Sequence, residues 1–243
     1  MKPNNNKKMI NKNPTKTFLN RFSLFTLITI ALVACKKDNG DLPSVANARV
    51  SLLIASPGAN ELSFFVNDKK STSSPLLYNT VVNYMSVSSG AQELIFKNKE
   101  ATETLAKTTA NLKSNSNYTL IFTDKFPKIA AIFVEDDLSE TAKDKAKVRF
   151  ANLSPDAPAF DLYINGKLEL TFSKKNFKEV SNYLNIDPGN NIKFELKENG
   201  KTEVLSTLEN FNIQSGRIYT LWARGIKESN TTNTLGLEAM TNR

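Results

Sequence analysis

The residue types that most enzymes depend on are scarce in this chain of 243 residues: it has no histidine and one cysteine, Cys35. Without imidazole, Ser-His-Asp and Cys-His nucleophilic arrangements and every histidine metal site are closed. A single thiol builds neither a thiolate zinc site nor a dithiol redox centre. No Gly-rich phosphate loop is present. What remains is carboxylate chemistry, in which one acid protonates a leaving group while a second carboxylate attacks or activates water. The obvious pair is Asp156 and Asp161, within Ser154-Pro155-Asp156-Ala157-Pro158-Ala159-Phe160-Asp161. Asp156 follows Ser-Pro, where an aspartate bonds its own backbone in a turn. Asp161 falls on the outward side of an alternating strand pattern. The structural reading of both is the stronger one.

The lone thiol has a chemistry of its own. It ends the run Leu32-Val33-Ala34-Cys35, which closes a basic, acid-free tract (Lys2, Lys7, Lys8, Lys12, Lys16 and Arg21) and an apolar stretch from Phe22 to Ala34. A stretch of thirteen residues falls short of the roughly 20 that span a bilayer. Basic, then apolar, then small is the layout of a secretory signal peptide, with Met1 or Met9 as its start. The end of the run resembles the bacterial lipobox. Cleavage there needs small residues for the peptidase to approach and a thiol to receive a diacylglycerol. Residues 1–34 are thus expected to be a signal peptide and Cys35 the lipidated residue, held to a membrane by its acyl chains. Residues 35–45 read as a polar tether. Lys36-Lys37-Asp38 within it resembles the charged cluster that, in some Gram-negative bacteria, directs lipoproteins to the outer membrane and its outer face.

Removing the leader changes the meaning of the charge. The whole chain carries +8, from 32 Lys and Arg against 24 Asp and Glu. The leader takes six of the basic residues and no acid, so 26 remain against 24, a net of +2. A folded part so balanced lacks the basic stripe of a nucleic-acid binder. With Cys35 acylated no disulfide can form, and each folded part must be held by its apolar core.

The chain is internally repeated. Lys147 to Lys167 repeats Arg49 to Lys69 at an offset of 98 residues, which drifts to 101 by Tyr219-Thr220-Leu221 against Tyr118-Thr119-Leu120. Two copies follow, residues 46–137 and 146–243, joined by a linker at 138–145. Period-two alternation predicts about seven strands per copy. In the first they begin with Val50-Leu52-Ile54 and continue at 62–66, 81–87, 93–97, 102–112, 118–122 and 129–134. Asn165-Gly166 and Asn199-Gly200 each suit a two-residue hairpin turn. The fold class is all-β: two tandem immunoglobulin-like antiparallel β-sandwiches behind a lipoprotein signal peptide. The acids Glu135, Asp136 and Asp137 lack the glycine and spacing of a calcium loop and read as a solvated linker, so no metal is expected.

The stretch from Arg149 to Gly166, through Ser154, Pro155, Asp156, Ala157, Pro158, Asp161 and Tyr163, resembles a bacterial family of unknown function. Its members are exported immunoglobulin-like domains with a Ser-Pro-Asp-Ala-Pro-x-x-Asp-x-Tyr signature, often in tandem in lipoproteins. The first copy departs from that signature, with Gly58, Asn60, Ser63 and Phe65 at its polar and aromatic positions. The resemblance implies the fold and an exported location and implies no reaction.

Ligand-binding candidates are the aromatics on non-core faces: Trp222 with its neighbour Arg224, and Tyr163 and Phe65 on the outer side of the second strand of each copy. Rings of this kind stack on sugars and peptides. The plainer reading is cover by a loop or by the other copy, since single surface aromatics are common. The sequence therefore points to a lipid-anchored, non-enzymatic protein of the cell envelope that binds, adheres or scaffolds, needs no cofactor, and has the membrane and a glycan or envelope protein as partners. Two alternatives stand beside it: an accessory ligand-binding subunit of an outer-membrane nutrient-uptake system, and a carboxylate-dependent hydrolase using Asp156 and Asp161.

Overall fold

The computed structural model describes residues 46–229, 231 and 233–243. The signal peptide, Cys35 and the tether lie outside the described residues. In the first copy, β1 (Asn47–Ile54), β4 (Val81–Ser88), β7 (Asn117–Thr123) and β8 (Ala130–Asp136) form one sheet in the order β4-β1-β7-β8. Facing it are β2 (Ser63–Val66), β3 (Lys69–Lys70), β5 (Gly90–Lys97) and β6 (Thr104–Leu112), in the order β3-β2-β5-β6. The second copy repeats this. One sheet holds β9 (Ala146–Asn152), β12 (Leu184–Ile186), β15 (Ile218–Arg224) and β16 (Gly236–Thr241), ordered β12-β9-β15-β16. The other holds β10 (Phe160–Ile164), β11 (Lys167–Leu168), β13 (Gly189–Glu198) and β14 (Val204–Ile213), ordered β11-β10-β13-β14.

Tandem β-sandwiches are what the alternation predicts, and the seven strands expected of the first copy all form. β3 is an eighth, added by the turn at Asn67. The sheets are not wholly antiparallel. β1 runs parallel to β7 and β9 parallel to β15, because the first strand of each copy inserts between the fourth and the seventh.

Each sandwich closes on its own apolar layer. Val50, Leu52 and Ile54 meet Phe64, Phe96, Leu120 and Phe122 in the first copy. Val148 and Phe150 meet Phe160, Leu162, Phe194 and Leu221 in the second. A buried leucine or phenylalanine contributes about 1.5–3 kcal/mol, so these layers hold the copies together without a disulfide.

Turn chemistry fixes the hairpins. Asn165 and Gly166 lie at φ 48° and 79°, as a two-residue turn between β10 and β11 requires. Asn199-Gly200 does not make such a turn. Only Gly200 takes a positive φ, at 76°, and β13 and β14 are joined by residues 199–203. The reason is tertiary: Asn199 Nδ2 donates to both oxygens of Asp161 at 3.1 and 3.2 Å, and its N–H donates to the Ala159 carbonyl.

The segment after β8 also differs from a fully solvated linker. Asp136 is the last residue of β8 and is buried, and Leu138 is buried two positions on. The acids there are held by cations: Glu135 by Lys113, Asp136 by Arg149 and Asp137 by Lys147.

Candidate functional site

Sheet β4-β1-β7-β8 of the first copy lies against sheet β12-β9-β15-β16 of the second. Leu53, Ala55 and Ile121 on one side meet Ala151, Leu153, Trp222 and Met240 on the other in a third apolar cluster. Residues of β1, β7, β9 and β15 that point away from their own cores fill this seam, which is why those strands read as buried on both faces.

A polar network crosses the seam. Arg149 Nη2 meets Asp136 Oδ1 at 2.6 Å, with both side chains at 2% exposure or less. Tyr84 Oη and Thr119 Oγ1 donate to Asp136 Oδ2 at 2.6 and 2.7 Å. Arg149 Nε donates to Thr220 Oγ1 at 2.9 Å, and Thr220 Oγ1 donates to Asn242 Oδ1 at 2.6 Å. Asn242 Nδ2 closes the ring onto Tyr84 Oη at 3.0 Å. The Arg149 guanidinium also stacks 4.8 Å over the Tyr183 ring. Burial pushes the Tyr84 phenol up, reinforced by the Asp136 charge, and pushes Tyr183 up to about 12, so both stay neutral hydroxyls. Desolvating two charges is expensive, and such a pair stands only where hydrogen bonds satisfy its remaining atoms.

The network is a duplicated one with its symmetry broken. Thr119 and Asp136 in the first copy correspond to Thr220 and Asn242 in the second: Asp136 pairs with Asn117 two residues before Thr119, and Asn242, one residue past β16, donates its N–H to the carbonyl of Ile218 two residues before Thr220. Tyr84 corresponds to Tyr183. Arg149 stands where the first copy has Ser51. The seam is thus nearly self-complementary, like an isologous interface, with a carboxylate replacing an amide on one side and an arginine answering it.

The sequence-derived candidates do not converge. Trp222 is 2% exposed and sits in the seam, covered by the first copy, so it is not an open ring for ligand stacking. Its Nε1 has no hydrogen-bond partner among the described residues. Arg224, next on the same face, is held by Glu238 at 3.0 Å and by the Thr234 carbonyl at 3.3 Å. Phe65 and Tyr163 lie on the two outer sheets, each under a lysine ammonium. Lys97 Nζ is 4.8 Å from the Phe65 ring centroid, and Lys197 Nζ is 4.1 Å from that of Tyr163. Phe65 is buried and Tyr163 half-buried.

The signature residues make contacts within the fold, but the Asp156 carboxylate reaches the loop after β15 rather than its own turn as the sequence predicts. Ser154, at 0% exposure, donates to the Gly225 carbonyl at 2.8 Å. Ser56 makes the same bond to the Asp124 carbonyl at 2.7 Å in the first copy. Pro155 follows within the turn. Asp156 Oδ1 accepts the Lys227 N–H at 2.9 Å, pinning the loop after β15, and Lys125 of the first copy stands 4.0 Å from Oδ2. Asp161 is not on an open face. It is 3% exposed and accepts from Ser173 Oγ at 3.0 Å, Lys174 N at 2.7 Å and Asn199 Nδ2. Covered by the chain that runs from β11 to β12, it clamps that segment and the β13–β14 loop to β10.

The described surface is concave elsewhere. A groove of about 890 Å³ opens at the edge of the first sandwich, between the β2–β3 hairpin and β4. Val66, Met85 and Val87 line its apolar side, and Lys69, Lys70 and Gln92 its polar side. Sequence reading missed it because a groove between two edge strands leaves no motif. It missed Arg149 and Asp136 because their pairing depends on how the copies dock.

The fold and the seam define a class: a tandem, all-β protein whose two repeated sandwiches are packed face to face. The chain belongs to the family described as a domain of unknown function, DUF4397, which it matches over residues 48–163 and 153–242. No curated protein matches the chain. Among solved structures, one titled "Alpha-glucan recognition by family 41 carbohydrate-binding modules from streptococcal virulence factors" is 10% identical. It covers 78% of this chain and 96% of its own, with a TM-score of 0.25, which is too low to carry an argument.

Proposed function

We propose that this chain is a lipid-anchored protein of the cell envelope with a non-enzymatic binding or scaffolding role. The anchor is Cys35 and the location is the outer membrane, read from the lipobox-like end of the leader and from Lys36-Lys37-Asp38. One observation carries the non-enzymatic part. The groups best suited to chemistry, Asp156 and Asp161, hold loops in place, and Asp161 is 3% exposed with its oxygens accepting several hydrogen bonds. A general acid and base must reach a substrate.

The binding part rests on shape. Two sandwiches locked across an apolar seam and a charged network form a rigid spacer, and the groove beside β4 is a concave site on it. The test is a glycan array and an envelope-protein pull-down with residues 46–243. A specific ligand from either supports the reading, and none from both leaves a purely structural role. A turnover that disappears in Asp161→Asn while the fold is kept would replace it with the hydrolase reading.

A further inference from the structure

We infer that the edge of β4, which pairs with no further strand among the described residues, and the groove beside it form a strand-acceptor site, which takes an extended polypeptide segment carrying acidic residues. The inference rests on the binding role proposed above and names the class of its ligand. β4 is the terminal strand of its sheet, eight residues long, and Val81-Val-Asn-Tyr-Met-Ser-Val-Ser88 holds no charge and no proline. Such an edge is a row of unpaired N–H and C=O groups at strand spacing, and natural proteins blunt edges of this kind with charges, prolines or shortening.

The second copy uses all three devices at the same place. β12 has only three residues, and Asp187-Pro188 stand where the first copy has Ser88-Ser89. Asp187 is held there by Lys145 at 2.6 Å. Phe172, at 0% exposure, fills the second core next to the chain that bridges Phe160 and Lys175. At the matching position before the Leu62–Leu76 bridge the first copy has Ser73. The copies share a topology, yet among the described residues only the first leaves this edge long and uncharged, with a groove behind it.

The groove lies where the inward side chains of an added strand would go. Val82, Met85 and Val87 face the core side of β4, opposite Leu52, Val50 and Ala48 of β1. Val66, Lys69 and Lys70 stand across the gap on β2 and β3. A segment paired to β4 puts alternate residues over Met85 and Val87, and main-chain hydrogen bonds supply affinity while these positions supply selectivity. At about 3.3 Å per residue, β4 accommodates roughly six to eight residues. The rim carries Lys69 and Lys70 against Asp68 alone, which favours acidic residues in the segment. A glycan has no row of amide donors and acceptors to match a strand edge.

The test is selection of ten-residue peptides from a random displayed library against the full chain in detergent micelles, followed by hydrogen exchange with the enriched peptides. Acidic peptides with alternating apolar residues are expected, and they should slow exchange in Val81–Ser88 at least tenfold. Backbone N-methylated versions should not bind, and Lys69→Glu with Lys70→Glu should weaken binding at least tenfold while leaving the fold intact. The inference is overturned if no peptide is enriched, if N-methylation has no effect, if protection falls elsewhere, or if sedimentation shows β4 occupied by a second copy. A glycan or envelope protein found by the array or pull-down, with no peptide on β4, overturns this inference and leaves the binding role standing.

Discussion

Replacing Arg149 with methionine keeps most of the side-chain volume and removes the cation that faces Asp136 across the seam. The Asp136 carboxylate, whose side chain is 0% exposed, is left with the Tyr84 and Thr119 hydroxyls and no opposite charge. Breaking one half of a buried pair costs about 3–5 kcal/mol, whereas replacing both halves with neutral groups is often nearly neutral. The second copy shows what a neutral partner looks like, because Asn242 stands where Asp136 does and accepts from Thr220 at 2.6 Å. Arg149→Met should therefore cost about 3–5 kcal/mol, and adding Asp136→Asn should recover most of it. Trp222, the only tryptophan, sits in the seam and reports directly. Urea unfolding of residues 46–243 followed by its fluorescence measures all four corners of the cycle. The single variant should also separate a seam-opening transition from unfolding of the two sandwiches. A loss below about 1 kcal/mol for Arg149→Met, or a double variant as unstable as the two single losses summed, would refute the seam as the element that joins the copies.

Four further outcomes, at three positions, follow from the same structure. Trp222→Ala should cost about 3–5 kcal/mol by leaving a cavity in the seam. Trp222→Phe should cost less than about 1.5 kcal/mol, since the indole Nε1 it loses makes no hydrogen bond among the described residues, and circular dichroism reads both. Gly225→Ala should destabilise by at least about 2 kcal/mol in thermal unfolding, because Gly225 sits at φ +84° and an added Cβ would run into the backbone oxygens of Asn233 and Thr234. Asp137 is held down to about 2, first by the Ser139 hydroxyl and then by Lys147. Its stabilisation is full above the ordinary carboxylate value of about 4 and is lost as the pH falls through about 2. With the Asp137 side chain 60% exposed, that is at most about 1 kcal/mol. Asp137→Asn should flatten acid unfolding between about pH 4 and pH 2 by that amount, and an unchanged profile would remove the role given to Ser139 and Lys147 together.

The repeat, the strand pattern and the two cores were legible in the sequence because they depend on local rules. Val50, Leu52 and Ile54 point one way simply because strand side chains alternate, and Asn165-Gly166 turns because both residues tolerate positive φ. The absence of histidine bounded the chemistry before any fold was known. Only the tertiary structure decided what the outward faces do. Trp222 and Asp161 both alternate out of the core, and the pattern cannot say whether water, a loop or another sheet lies beyond. The seam buries the first under the neighbouring copy, and the segments around Ser173 and Asn199 cover the second. The docking of the copies also pairs Arg149 with Asp136, although neither belongs to the Ser-Pro-Asp-Ala-Pro signature and nothing in the sequence links them. Periodicity along one chain fixes which side of a strand is greasy. Which surfaces then meet depends on shape and charge summed over residues far apart in sequence, and these exist only once the chain has folded.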